Sequence, residues 1–164
     1  MRRLARMREH LEGDLAAPAP DVSANFVSAA VAEDIVVVSA LRTPITKFKR
    51  GGFKDTRADK LMSSVMKAAI QEAGAAPSLI GDVVVGSTSI DLTQARVAQF
   101  EAGIPDSVPV KVTNRACSSG LQAVMDVAGA IRNGQTEIGM AVGCESLSNQ
   151  RKMGKQVSAF FVRL

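Results

Sequence analysis

The residue with the clearest chemical potential is Cys117, within the segment NRACSSG at residues 114–120. A β-branched run at 108–113 precedes it, and a long apolar stretch follows it. This pattern predicts that a strand ends and a helix begins near the cysteine. The free N–H groups and partial positive charge of a helix N-terminus stabilise a thiolate and can hold an oxyanion. Cys117 is therefore a candidate nucleophile.

The alternative is that Cys117 packs as a small buried hydrophobe. The second cysteine, Cys144, follows a predicted strand and Gly143, and we expect it to be structural. A cysteine nucleophile usually needs a base. The single histidine, His10, lies far away in a basic N-terminal arm, so a pair with Cys117 is not expected. The residues alone leave the catalytic apparatus incomplete.

The elements that must position Cys117 alternate along the chain in the order β-α-β-α-β-α-β. This alternation predicts an α/β layered fold with a largely parallel sheet. The first run, DIVVVSA, fits a strand buried on both faces. The predicted strands are 34–40, 82–88, 108–113 and 137–143, and the predicted helices are 56–73, 94–102 and 118–133.

The helix that follows Cys117 is apolar around nearly its whole circumference. Only Gln122 and Asp126, four residues apart, form a thin polar stripe. A helix that is apolar all round belongs inside a protein. We therefore expect another sheet or subunit on its far side.

The chain divides into four predicted segments. Residues 1–11 form a basic arm, 12–32 a flexible linker rich in Ala, Pro and Ser, 33–148 the α/β domain and 149–164 a basic tail. Residues 1–11 carry a net charge of +3 and residues 151–164 one of +4, so the ends exceed the overall net charge of +4 and the middle is net negative. A DNA-binding domain would place its charge on a face of the core, so nucleic-acid binding is not expected.

Other classes of protein are disfavoured by composition. No apolar run reaches the roughly 18–20 residues of a membrane span. Two cysteines do not make a disulfide framework, which favours a reducing intracellular compartment. No signal-peptide pattern is present at the N-terminus.

Several segments, taken together, resemble the thiolases, the acetyl-CoA C-acyltransferases. NRACSSGLQAV at residues 114–124 resembles their active-site segment, and the resemblance spans about residues 34–148. The other matching segments, in chain order, are the loop Arg42-Thr43-Pro44, EAGAAPSLIGDVVVGS at 72–87, QARVAQFEAGIPDSVP at 94–109 and GCESLS at 143–148.

This resemblance implies the N-terminal half of the thiolase fold, two similar α/β halves with central helices between sheets. It implies that Cys117 takes an acyl group from a 3-ketoacyl-CoA and that CoA then accepts it. The backbone N–H of Cys117 is implied as an oxyanion donor. No metal or cofactor is implied, since CoA is a substrate, and family members are homo-oligomers.

Two features depart from the family. Thiolases are much longer, and their later half supplies an activating histidine and a second cysteine. After Ser148, NQRKMGKQVSAFFVRL does not resemble the expected continuation. We therefore expect little or no turnover by this chain alone, and an altered reading frame or splice product would explain the change.

The N-terminal arm contains a spaced motif. Arg3-Leu4 and His10-Leu11, separated by five residues, match the type-2 peroxisomal targeting pattern. Seven residues advance a helix by about two turns, so Arg3 and His10 share a face that a receptor could read. The alternatives are a solvated basic arm and a mitochondrial presequence. The acidic residues Glu9, Glu12 and Asp14 disfavour the mitochondrial presequence. The motif predicts a peroxisomal location and an import receptor as partner.

Two functions from different classes remain. The first is an acyltransferase of fatty-acid β-oxidation that acts on acyl-CoA and CoA. The second is a non-catalytic truncated isoform that associates with full-length thiolase subunits.

Overall fold

The computed structural model describes residues 34–148 and 155–163, and of 155–163 only the strand that the backbone forms. All of them belong to one unit, Glu33–Leu164. In chain order the elements are β1 (Val36–Arg42), α1 (Ala58–Ala73), β2 (Asp82–Gly86), α2 (Leu92–Glu101), β3 (Val110–Thr113), α3 (Ser119–Arg132), β4 (Ile138–Ser146) and β5 (Lys155–Arg163).

These strands form one sheet in the order β1-β5-β4-β2-β3. Strands β3, β2 and β4 are parallel neighbours, and Gly86 of β2 lies opposite both Thr113 of β3 and Gly143 of β4. Strand β5 runs antiparallel to both β4 and β1. The predicted α/β class is therefore confirmed, with three α-helices among the described residues as expected. The sheet is mixed, since two of its four pairings are parallel and two are antiparallel.

Two sequence predictions fail at one side of the sheet. Val37 of β1 is 52% exposed, so this strand is not buried on both faces. It is an edge strand, and no described residue pairs with its other side. The sequence analysis predicts no strand after residue 143, yet Lys155–Arg163 inserts between β1 and β4. The alternating and aromatic residues of QVSAFFV suit a strand, a signal that the poor family match obscured.

The core lies on both faces of the sheet, as the alternation of strand residues requires. On one face, Val83, Val85 and Met140 pack with the buried residues of α1 and α2. On the other face, Val84 and Ala141 pack with α3 through Ala123, Val127 and Ile131. Strands β2 and β4 are covered on both faces, which explains why their sequences are continuous apolar runs.

Candidate active site

Cys117 lies in the turn between β3 and α3, two residues before the first helical residue, Ser119. Its side chain is exposed. Strands β2, β3 and β4 are parallel, so this turn stands at the edge of the sheet where all three strands end. Ligands of open α/β sheets bind at this edge. The predicted position of Cys117 between a strand and a helix is confirmed.

The turn that carries Cys117 is held on both sides of the cysteine. The buried Ser119 hydroxyl donates to the Ala116 carbonyl at 2.6 Å and accepts from the Arg115 N–H at 2.8 Å. The Asn114 side-chain oxygen accepts from the Ala116 N–H at 3.0 Å. Ala116 itself has a φ of 49°, a left-handed conformation that is unfavourable for a residue with a Cβ. These hydrogen bonds hold the turn in its strained form.

A glycine at the end of β2 lets the start of α3 sit directly on the strand ends. A Cβ built on Gly86 would lie 2.1 Å from the Ser119 carbonyl oxygen and 2.7 Å from the Gly120 nitrogen. A Cβ built on Gly120 would lie 3.8 Å from the Cα of Gly143. The absent side chain at Gly86 therefore fixes where the helix begins and where Cys117 stands.

The loop after β2 is also tied to this edge. The Ser87 N–H donates to the Thr113 carbonyl at 3.0 Å, which continues the β2–β3 pairing past the strand end. The Ser87 hydroxyl oxygen accepts from the N–H groups of Ser89 and Ile90, each at 3.0 Å. These bonds fix the loop beside the cysteine turn.

The two cysteines have opposite environments. Cys144 is 3% exposed within the core, and burial raises the pKa of its thiol. Buried thiols of this kind are unreactive. Cys117 is exposed in the turn just before the N-terminus of α3. Of the two, only Cys117 is placed to act as a nucleophile.

The sequence analysis did not identify Gly86, Asn114 or Ser119 as residues that position Cys117. The sequence did contain one signal for Gly86, namely a glycine at the end of a predicted buried strand. The targeting residues Arg3, Leu4, His10 and Leu11 lie outside the described residues, and the oxyanion role of the Cys117 N–H stays a prediction. Within residues 34–148 no group of three His, Cys, Asp or Glu could hold a metal ion. No helix among the described residues is long and apolar enough to span a membrane.

The outer face of α3 is uncovered. Leu121 is 65% exposed and Met125 is 54% exposed, whereas the inner face of the same helix is buried. The sequence predicted an additional layer over this helix. The described residues do not supply it.

Comparison with known proteins identifies the family. The model of the thiolase N-terminal domain matches residues 35–161. The chain belongs to the thiolase family. The match extends past Ser148 and includes most of β5, so residues that the sequence analysis placed in the tail lie within the family pattern.

The thiolase relatives are peroxisomal by name and much longer. The chain is 48% identical over 147 residues to 3-ketoacyl-CoA thiolase 5, peroxisomal, of Arabidopsis thaliana, which covers 87% of the chain and 32% of the relative. It is 47% identical over 155 residues to 3-ketoacyl-CoA thiolase A, peroxisomal, of Rattus norvegicus, covering 90% and 36% respectively. The chain thus spans about a third of the length of the curated relatives it matches.

Solved thiolases share the fold. The peroxisomal 3-ketoacyl-CoA thiolase of Saccharomyces cerevisiae is described as a five-layered α-β-α-β-α structure built from two core domains of identical topology. Its match has a TM-score of 0.72 and 37% sequence identity. The match covers 77% of this chain and 39% of the Saccharomyces cerevisiae chain. A thiolase of Ascaris suum, solved in complex with coenzyme A, matches with a TM-score of 0.67 at 33% identity, covering 71% and 31%. The predicted thiolase-like fold is confirmed.

Proposed function

We propose that this chain is the cysteine-bearing N-terminal part of an acyltransferase of fatty-acid β-oxidation. Its reaction is the thiolytic cleavage of a 3-ketoacyl-CoA by CoA. The observation that carries the proposal is the exposed thiol of Cys117 at the start of α3. The names of the relatives supply the substrate class.

The proposed reaction has two steps, and Cys117 takes part in both. The Cys117 thiolate attacks the 3-keto carbon, and the bond between C2 and C3 breaks. The acyl group remains as a thioester on the sulfur, and the acetyl-CoA enolate takes up a proton. The thiolate of a second CoA then attacks the thioester carbonyl and releases acyl-CoA and the free cysteine thiolate.

The start of α3 has an electrostatic role in this reaction. Its partial positive charge stabilises the oxyanion that forms at the carbonyl. The Cys117 N–H is the proposed oxyanion donor. No histidine occurs in residues 34–148, so the base that activates the thiol has to come from elsewhere.

We propose that a second α/β core covers the outer face of α3 and supplies that base. Support comes from the exposed Leu121 and Met125 and from the two core domains described for the Saccharomyces cerevisiae thiolase. On its own the chain is then weakly active or inactive.

A second candidate function follows from the same uncovered face. The α/β unit described above can associate with full-length thiolase subunits without itself catalysing the reaction. The exposed side chains of α3 favour this candidate because large exposed apolar patches mark interaction surfaces.

One experiment separates the two candidates. The chain and its Cys117→Ser variant are each assayed for loss of acetoacetyl-CoA in the presence of CoA, alone and with a full-length thiolase. Cleavage that depends on Cys117 supports the acyltransferase. If the chain alone gives no cleavage but co-purifies stably with the full-length subunit, the result supports the association function and contradicts catalysis by the chain.

We also propose a peroxisomal location. The motif formed by Arg3, Leu4, His10 and Leu11 supports it, as do the names of the relatives. A fluorescent fusion should enter peroxisomes, and the double variant Arg3→Ala and His10→Ala should remain outside. A fusion whose location does not change would contradict the role of the motif and the import receptor as its partner.

A further inference from the structure

The carbonyl of Ala116, the residue before the cysteine, is bound twice by Ser119. The Ser119 N–H donates to this carbonyl at 3.1 Å, and the Ser119 hydroxyl donates to it at 2.6 Å. The hydroxyl oxygen also accepts from the Arg115 N–H at 2.8 Å, and Ser119 is only 3% exposed. One buried residue therefore fixes the direction in which the Ala116 carbonyl points.

The direction of this carbonyl sets the direction of the Cys117 N–H. The two groups belong to the same peptide unit, which is planar and trans. In a trans peptide the C=O and N–H bonds point to opposite sides of the chain. Because the Ala116 carbonyl points toward Ser119, the Cys117 N–H points away from the first turn of α3.

The N–H groups on either side of this one are already occupied. The Ala116 N–H donates to Asn114 Oδ1 at 3.0 Å, and the Ser118 N–H donates to the Arg115 carbonyl at 3.1 Å. Within residues 34–148, none of the hydrogen bonds uses the Cys117 N–H as its donor. Of these three successive N–H groups, that of Cys117 is the one left to meet a substrate oxygen.

The orientation depends on a strained residue. Ala116 has a φ of 49°, a conformation that is unfavourable for a residue with a Cβ and that glycine adopts freely. If nothing held Ala116, it would return to a negative φ, and the peptide that carries the Cys117 N–H would rotate. The hydrogen bonds of the buried Ser119 hydroxyl oppose this rotation.

We propose that Ser119 is a positioning residue of the Cys117 site, whose buried hydroxyl holds the Ala116–Cys117 peptide so that the Cys117 N–H faces the carbonyl oxygen under attack. The proposal rests on the proposed function, which gives that N–H the role of oxyanion donor. Ser119 acts through the Ala116 carbonyl and not on the substrate itself.

The test compares two reactions of the same thiol, of which only one passes through an oxyanion. With p-nitrophenyl acetate, the Cys117 sulfur bonds to the carbonyl carbon, a tetrahedral oxyanion forms, and p-nitrophenolate leaves. With iodoacetamide, the sulfur displaces iodide from a carbon atom, and no oxyanion forms. Mass spectrometry of the Cys117 peptide measures both rates. The ratio of acetylation to alkylation reports the oxyanion donor and cancels the exposure and the thiolate fraction of the thiol.

Ser119→Ala should lower this ratio about tenfold, because complete loss of an oxyanion donor costs roughly a hundredfold or more and here the donor is turned rather than removed. Ser118→Ala is the matched control, since Ser118 is exposed and its side chain makes no capping hydrogen bond. The control should leave the ratio unchanged. If both rates fall by the same factor in Ser119→Ala, the residue has a merely structural role, and the proposal is overturned.

A rescue separates positioning from packing. Adding Ala116→Gly to Ser119→Ala should raise the ratio again by about threefold, because glycine adopts a positive φ without strain. A double variant with a ratio as low as that of Ser119→Ala would mean that the side chain acts by packing, and it would overturn the proposal.

A second variant keeps the proposal testable if Ser119→Ala does not fold. Asn114→Ala removes the other side-chain hydrogen bond that holds Ala116, and Asn114 is exposed. It should lower the ratio in the same direction but by less. An unchanged ratio in this variant would contradict the dependence of the N–H on the held turn.

Failure of the proposed function gives a different result. If neither reagent labels Cys117 in the unmodified chain, the cysteine is not a nucleophile, and both proposals fall. A labelled Cys117 whose ratio is unchanged in Ser119→Ala overturns the role of Ser119 alone.

Discussion

The two faces of the sheet are covered to different extents. On the face of α1 and α2, the two helices pack against the strands and against each other, and Met62 and Met66 are fully buried. On the opposite face α3 is the one helix among the described residues, with its inner side buried and Leu121 and Met125 exposed. The larger cluster of buried apolar residues lies on the face covered by α1 and α2, which is the closed face. The face of α3 is the open face; Cys117 lies at the start of this helix, and the proposed second core would cover its exposed side.

The largest expected effect is a difference in alkylation rate between the two cysteines. Cys144 is buried on the closed face, and Cys117 is exposed at the start of α3. Iodoacetamide should label Cys117 at least about a hundredfold faster than Cys144, because Cys144 reacts only when the core opens. Mass spectrometry of the labelled peptides over time measures both rates. Equal rates would mean that the closed face is not closed, and full labelling of both in urea is the control.

Core truncation should distinguish the faces by stability. Met66→Ala on α1 should lower the free energy of unfolding by about 2–5 kcal/mol, the usual result for a large-to-small change in a core. Leu121→Ala on the outer side of α3 should change it by less than about 0.5 kcal/mol. Urea denaturation followed by circular dichroism measures both. Similar losses from the two variants would contradict the open face.

Gly86→Ala should displace the first turn of α3. The new Cβ would collide with the Ser119 carbonyl, and overpacking of this kind lowers the free energy of unfolding by about 1–3 kcal/mol. The rate of Cys117 alkylation should change as well, since the turn moves. Gly129→Ala is the matched control, because a Cβ there has no atom within 4 Å and alanine favours helix. Equal stability of the two variants would refute the close approach.

A smaller effect concerns acid stability on the closed face. Arg57 contacts Asp59 through Nε and Nη2 and lowers the pKa of its carboxyl group. A lowered folded-state pKa adds stability above the unfolded value, near 4, and this stability is lost as the pH falls through the folded value. Asp59→Asn should therefore be less stable than the unmodified chain at pH 7, and the difference should shrink at pH 3.

Urea titrations at the two pH values measure that difference. Asp55→Asn is the control, since Asp55 is exposed and, among the described residues, forms an ion pair with its neighbour Lys54 alone. A difference between the unmodified chain and Asp59→Asn that is the same at pH 7 and pH 3 would contradict the ionic contribution.

The fold class, the number of helices and the place of Cys117 followed from the sequence. Strand-length β-branched runs and a helix that is apolar all round are local patterns, and local patterns report which residues form which element. The segments that resemble thiolases reported the family, because they occur in order and at matching spacing. Cys144 lies in the core, in agreement with the structural role expected for it, but within β4 rather than after the strand.

Only the tertiary structure decided three features: which strand lies at the edge of the sheet, which residues hold the turn that carries Cys117, and which residue binds the Glu145 carboxylate. DIVVVSA has the composition of a central strand, yet its exposure depends on its neighbours. Gly86, Ser119 and Cys117 are brought together by contacts between β2 and the start of α3. Thr88 and Glu145 lie 57 residues apart along the chain and meet because β2 and β4 pair in parallel. Composition and periodicity describe each segment separately, whereas contacts between distant segments depend on how the whole chain packs.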